Sequence, residues 1–416
     1  MFQEIAARLD AVTPPRSLRE LWDLHRWHEA GEPSFSRIAE RWTHPGRREQ
    51  RFLNQNTWLM DITGIPKGFS EAHKPATMSR ASALGGFLSE HVDLVLLQEV
   101  WEERHRRRIL DDWGTPEPSS AVGVEGRGVR PRADGSAVGS AAIIGPILTG
   151  LVLPFDPSGG AAATAFGVSA GAALDPLRLD NAIGDGLMMI SRDAELEDVD
   201  THSFEHEGTF PAEDIFAEKG ILRATVRLGT GRDDMALELY TTHLTAQSGD
   251  EGDATRKEQI DELCAFVGEA SDDVIRIVAG DFNIGLNSDP HDHLFTALGR
   301  LDLEEITATA AWRDRISHDF HTSLDESRLW AADCVWPAEA WGSHYVEEEP
   351  GFPEAETSRL DYCFVDLPRK GHRFDLDFTR PRRVRIRRSR AARDALCAPL
   401  VSDHLGIATT LLLTPR

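Results

Sequence analysis

The chain has 416 residues, room for one large domain or two ordinary ones. Hydrophobic residues at 41% and charged residues at 27% are the values of a soluble globular protein, and no fixed-period repeat points to a solenoid. Lys+Arg 45 against Asp+Glu 69 leaves a net charge of -24, which disfavours non-specific binding to a polyanion.

Residues 1–50 read as an N-terminal helical extension, one or two amphipathic helices broken at Pro14-Pro15, with Leu18, Leu21 and Leu24 at helical spacing. This start carries charges throughout and lacks the apolar core of a secretory signal, so the expected location is cytoplasmic. From residue 51 to 416 the pattern changes to short apolar or alternating runs: RFLNQNTWL, VDLVLLQEVW, GLMMIS, ILRATVRL, ALELYTTHL, VIRIVAGDFN, SRLDYCFV and LGIATTLLL. MSRASALGGFLSEH and TRKEQIDELCAFVGEA between them read as helices, the second with Ile260, Leu263, Cys264 and Val267 on one face. Strands with interspersed helices over this length predict a large layered α/β fold.

A small-residue apolar insertion, about 114–180, separates two of these strands. Between Asp134 and Asp175 its only charged side chain is Asp156, but Gly145-Pro146 and Gly150 interrupt the apolar run before it reaches the ~20 residues of a membrane span. A buried hairpin, a substrate-covering loop and a peripheral membrane contact through 135–174 stay open as readings, and with the last of them membrane association. Cys264, Cys334, Cys363 and Cys397 lie far apart, with no pairing at zinc spacing and no disulfide framework.

Polar residues stand at the ends of the apolar runs: Asn56, Glu99, His243, Asp281 with Asn283, Asp361, and the Asp403-His404 pair. Each has an ordinary reading by itself, as a turn residue, a cap or a solvated acid. Asp361 is the least ordinary, because an acid inside LDYCFV needs a partner to offset its desolvation. Groups on rigid strand ends can converge on one cleft.

Taken in order, N-x-W, Q-E, T-H, G-D-F-N, R-L-D-Y and S-D-H resemble the endonuclease/exonuclease/phosphatase superfamily of DNase I-like phosphoesterases, from about Arg51 to Leu413. Within it the chain is most similar to neutral sphingomyelinase-type phosphodiesterases, through QNTWLMDITGIPKG, DLVLLQEVW, GDGLMMIS, AEKGI, THLTAQ and PLVSDHLGIATTLLL. The resemblance implies an α/β (α+β) fold, a four-layer α/β/β/α sandwich of two mixed β-sheets, with 51–416 as the phosphoesterase domain.

It also implies a Mg²⁺-dependent phosphodiester hydrolase, with Mn²⁺ as a substitute metal. Glu99 is the expected metal ligand, helped by the Asn56 carbonyl and by Asp403 as a second ligand or an acceptor beside it. His404 is the expected general base, its tautomer held by Asp361. His243 stands on the phosphate side as stabiliser or proton donor, Asp281 orients water or binds metal, and Asn283 donates its amide to a phosphoryl oxygen. Lys219 is a candidate phosphate contact. The preferred substrate is a lipid or small phosphodiester rather than nucleic acid, with no obligate protein partner. The basic stretch TRPRRVRIRRSRAARD, 379–394, keeps a nuclease open as the alternative, and a catalytically silent lipid- or protein-binding module is a third reading.

Overall fold

The computed structural model describes residues 47–59, 77–114, 118–123, 184–206, 217–229, 235–271, 273–285, 288–306, 323–324, 356–366, 372–378, 381–384, 386, 402, 404 and 406–416. The first half of the described chain contains β1 (Arg48–Asn56), α1 (Thr77–His91), β2 (Leu94–Gln98), α2 (Glu103–Trp113), β3 (Ser119–Val122), β4 (Met188–Ser191), β5 (Leu196–Ser203), β6 (Gly220–Leu228) and β7 (Met235–His243). The second half contains α3 (Gly249–Gly268), β8 (Ile275–Asp281), α4 (Asp289–Arg300), β9 (Leu303–Glu305), β10 (Ser323–Leu324), β11 (Glu356–Ser358), β12 (Asp361–Asp366), β13 (Phe374–Phe378), β14 (Arg382–Val384) and β15 (Gly406–Pro415).

The strands assemble into two mixed sheets. One has the order β13-β15-β1-β2-β4-β3, with β14 also on β15; the other has the order β5-β6-β7-β8-β12-β9. β10 and β11 pair separately. Each large sheet contains one parallel pair, β1 with β2 and β7 with β8, and its other pairings are antiparallel. A parallel neighbour requires a crossover, and helices lie between these strands in the chain: α1 between β1 and β2, α3 between β7 and β8.

Three apolar clusters account for the layers. Phe52, Leu94, Leu96 and Met189 meet Leu222, Leu237, Leu239 and Ile277 in the core between the sheets. Their chain neighbours Leu53, Val95, Leu97 and Met188 face the other way, onto Leu84, Leu88 and Ile109 of α1 and α2. On the second sheet Tyr240, Val278 and Phe364 pack on Ile260, Leu263 and Val267 of α3 and on Leu294 and Leu298 of α4. Strands covered on both faces read as continuous apolar runs, which is why DLVLL and IRIVA show little alternation. The result is the four-layer α/β/β/α sandwich expected from the motif order.

Local differences follow from packing. α3 starts at Gly249, before the predicted TRKEQ segment, with Asp250 and Glu251 in its first turn, where carboxylates favour the positive helix end. Phe266 is buried on its core face, while Cys264 only borders the cluster. β1 begins at Arg48, inside the stretch read as the extension, because Arg48 to Gln50 already pair with Leu413 to Leu411. The rest of that extension, 1–46, lies outside the described residues, as does most of the insertion, including all of 135–174. Within the basic stretch 379–394, Arg382–Val384 forms β14. No described helix is long and apolar enough to cross a membrane.

Candidate metal and catalytic centre

Both parallel pairs deliver a polar residue at the carboxyl end of each strand, the end at which open α/β sheets place their ligands. β1 ends on Asn56 beside Gln98 of β2, and Glu99 follows directly. β7 ends on His243, in register with Asp281 at the end of β8, and the antiparallel β12 begins with Asp361 opposite Asp281. Glu99 and Asn283 have φ of 60° and 51°, so both strand exits turn through the left-handed region, which costs non-glycine residues roughly 1–3 kcal/mol. The surrounding hydrogen bonds hold them there.

Asn56 joins the two sheets. Its Nδ2 donates to Glu99 Oε1 and to Asp281 Oδ2, each at 2.8 Å, and its Oδ1 accepts from the Trp58 backbone N–H at 3.0 Å. One amide thus fixes two carboxylates that would otherwise repel. Asn283 N–H donates to Asp281 Oδ1 at 2.9 Å, and its side-chain amide donates one hydrogen to the Leu244 carbonyl at 2.9 Å. Beneath them Gln98 bridges the sheets, donating to Asn54 Oδ1 at 2.9 Å and to Thr241 Oγ1 at 2.8 Å.

His404 Nδ1 donates to Asp361 Oδ2 at 2.8 Å, and its Nε2 lies 3.7 Å from Asp281 Oδ2. The His404 carbonyl accepts from Gln55 Nε2 at 3.1 Å, and its N–H donates to Ser402 Oγ at 3.0 Å, tying the ring's backbone to β1. Across the site His243 Nε2 is 3.7 Å from the same Asp281 oxygen. Lys219, wholly buried, places Nζ 3.1 Å from both His243 ring nitrogens. Asp281 is therefore the hub, flanked by two imidazoles.

Ligand atoms of Glu99, His243 and Asp281 lie within 4.8 Å of one another, and so do those of Asp281, Asp361 and His404. Glu99 Oε2 is buried and makes no hydrogen bond among the described residues. A buried carboxylate oxygen with no donor is costly, and a hard divalent cation would satisfy it. Burial, with the Asp361 charge adding to it, raises the Asp281 carboxyl to about 7 against the opposing pull of His404, Asn283 and Asn56. A cation beside it would favour the ionised form. Burial, then Lys219 and His404, holds His243 well below the usual imidazole range, so it is neutral at neutral pH. The donor set fits a divalent metal.

The structure thus gathers Asn56, Glu99, His243, Asp281, Asn283, Asp361 and His404 into one connected cluster, with Lys219 against it. Asp403 lies outside the described residues. Sequence reading assigned no role to Gln55, Gln98, Ser402 or Trp101, although all four sit inside the quoted motifs. Their only signal was a polar or aromatic residue one or two places from an expected ligand.

Fold and cluster together define a four-layer two-sheet sandwich whose acids, amides and imidazoles collect at the carboxyl ends of its parallel strands. No protein-family model and no curated protein matches the chain. Among solved structures it is similar to a beta toxin variant from Staphylococcus aureus with bound magnesium ions, at 14% identity over 87% of this chain and 99% of that one, TM-score 0.47. It is similar also to sphingomyelinase C from Streptomyces griseocarneus, at 14% identity over 89% and 100%, TM-score 0.45. TDP2 from D. rerio, complexed with a single-strand DNA product, is similar at 15% identity over 87% and 98%, TM-score 0.46.

Proposed function

We propose that this chain is a Mg²⁺-dependent phosphodiester hydrolase acting on a lipid or small phosphodiester, sphingomyelinase-like. The observation that carries the reading is the Asp361–His404 pair aimed at Asp281, across from Glu99 with its unbonded Oε2. Glu99 and Asp281 would hold the cation, with Asp403 as the further expected ligand. When bound, the cation supplies charge neutralisation to the non-bridging phosphoryl oxygens.

His404 is the base. Asp361 holds its Nδ1–H, so Nε2 carries the lone pair that accepts a proton from water, and the carboxylate stabilises the imidazolium that forms. Asp281, next to that nitrogen, orients the water. His243, neutral and backed by Lys219, faces the phosphate as a hydrogen-bond donor rather than as a cationic acid. Asn283 has one amide hydrogen committed to Leu244, which leaves the second for a phosphoryl oxygen. Asn56 sets the distance between the two carboxylates.

A panel of sphingomyelin, other phosphodiesters and single- and double-stranded DNA, run with Mg²⁺, Mn²⁺ and Ca²⁺ beside His404→Ala, tests the reading. The expected outcome is Mg²⁺-dependent release of the phosphorylated headgroup from the lipid, lowered by roughly 10²-fold or more in the variant. Unchanged turnover in a folded His404→Ala protein sinks the site. The basic 379–394 stretch favours the nuclease alternative, and turnover confined to DNA, with binding that weakens steeply as salt rises, would select it.

A further inference from the structure

Trp101, in the VW step after Glu99, is 3% exposed, and its ring centroid lies 6.0 Å from that of His243. Lys219 Nζ stands over the indole at 5.6 Å from its centroid while lying 3.1 Å from each His243 ring nitrogen. On another side the indole rests against Gly186, whose φ is +66° and where an added Cβ would come within 2.7 Å of Trp101 Cε3. The Val100 N–H donates to the Gly186 carbonyl at 2.8 Å, which fixes that backbone under the ring. The indole N–H is buried and has no hydrogen-bond partner among the described residues. Four separate stretches, EVW, GDGL, EKG and TTHL, therefore meet in one stack: glycine backbone, indole, ammonium, imidazole.

Lys219 Nζ touches both the His243 ring and the Trp101 face, and an aromatic face attracts an ammonium, most strongly when both are desolvated. We propose that Trp101 is a positioning residue for the phosphate side of the centre: its indole face holds the Lys219 ammonium against the His243 ring. This rests on the phosphodiesterase reading above. In that reaction the stack keeps the ammonium and the neutral imidazole together where the phosphoryl oxygens bind. The aromatic face, not the N–H, carries the effect.

The test is a double-mutant cycle on the full chain with Mg²⁺ and whichever phosphodiester the panel identifies. Trp101→Leu is expected to lower kcat roughly 10-fold with KM little changed, and Trp101→Phe, which keeps a face and deletes the N–H, to recover most of it. In a Lys219→Met background the Trp101→Leu change is expected to have less than about a 2-fold effect, because the partner is already gone. Equal losses from Trp101→Leu in both backgrounds, or equal losses in the Phe and Leu variants, would overturn the proposal. If Trp101→Leu does not fold, the Phe variant and ¹⁵N shifts of the His243 ring decide. They are expected to stay near wild type in Trp101→Phe and to move in Lys219→Met. Movement of the ring in Trp101→Phe as large as in Lys219→Met counts against the stack. A wild type inert on every substrate fails the phosphodiesterase reading alone; the ¹⁵N comparison, which needs no turnover, still judges the stack.

Discussion

The site turns on Asp281, whose Oδ1 accepts from Asn283 and whose Oδ2 accepts from Asn56 and lies 3.7 Å from each of the two imidazoles. At this scale the Asp361–His404 hydrogen bond makes the sharpest claim. Asp361→Asn keeps the shape but replaces an acceptor with an amide that can present its NH₂, so the ring loses its held tautomer and the imidazolium its counter-charge. Turnover is expected to fall by roughly 10²–10⁴-fold with the melting temperature little changed, read by steady-state kinetics beside a thermal melt. The motif order made His404, Asp361, Glu99 and Asp281 legible, because acids and imidazoles at apolar strand ends are uncommon. The Asn56 bridge was not legible. Its two carboxylate partners stand 43 and 225 residues away, and nothing local to N-x-W names them.

Among the elements, the parallel pairs do the positioning, and close backbone approach is what they require. A Cβ on Gly280 would sit 2.1 Å from the Thr242 carbonyl oxygen on β7, one residue before His243 and Asp281 come side by side. Gly280→Ala must therefore push β7 and β8 apart. The expected cost is about 1–3 kcal/mol in urea unfolding, together with lost turnover, whereas Gly299→Ala, which meets no atom within 4 Å, should cost neither. The first sheet is tied at its opposite end, where Asp93 accepts from Arg51 at 2.6 and 2.9 Å and lies 3.2 Å from Arg192. Burial pushes the Asp93 carboxyl up, but the Arg51 hydrogen bonds and the charges of Arg51 and Arg192 outweigh it and leave it below its ordinary value. A lowered folded value means stability that is present above the unfolded carboxylate range, near ~4, and lost as pH falls through the folded one. Urea midpoints of the wild type should accordingly drop below about pH 4 more steeply than those of Asp93→Asn. Pattern alone found these strands, yet it placed the start of α3 late: the helix takes in Gly249 and Gly252, with Asp250 and Glu251 in its first turn.

For the whole molecule, the candidate centre lies between two sheets, and a divalent cation held by Glu99 and Asp281 would stabilise the sandwich by mass action. Mg²⁺ at 100 times its dissociation constant should add about 2.7 kcal/mol, read as a rise in the melting temperature that a chelator reverses. Glu99→Gln should abolish most of that rise while the metal-free protein melts near the wild-type temperature; an equal rise in both would remove Glu99 from the metal site. By itself the sequence determined the layered class, the helix and strand alternation and the identity of the acids and imidazoles, because those are written in local periodicity and in the residue types that chemistry needs. Only the tertiary structure decided that Glu99 and Asp281, from different sheets, share one amide, that Lys219 lies on His243, and that Trp101 faces both. Those contacts join residues far apart in the chain, and their geometry comes from the packing of one sheet on the other, which no short stretch of sequence encodes.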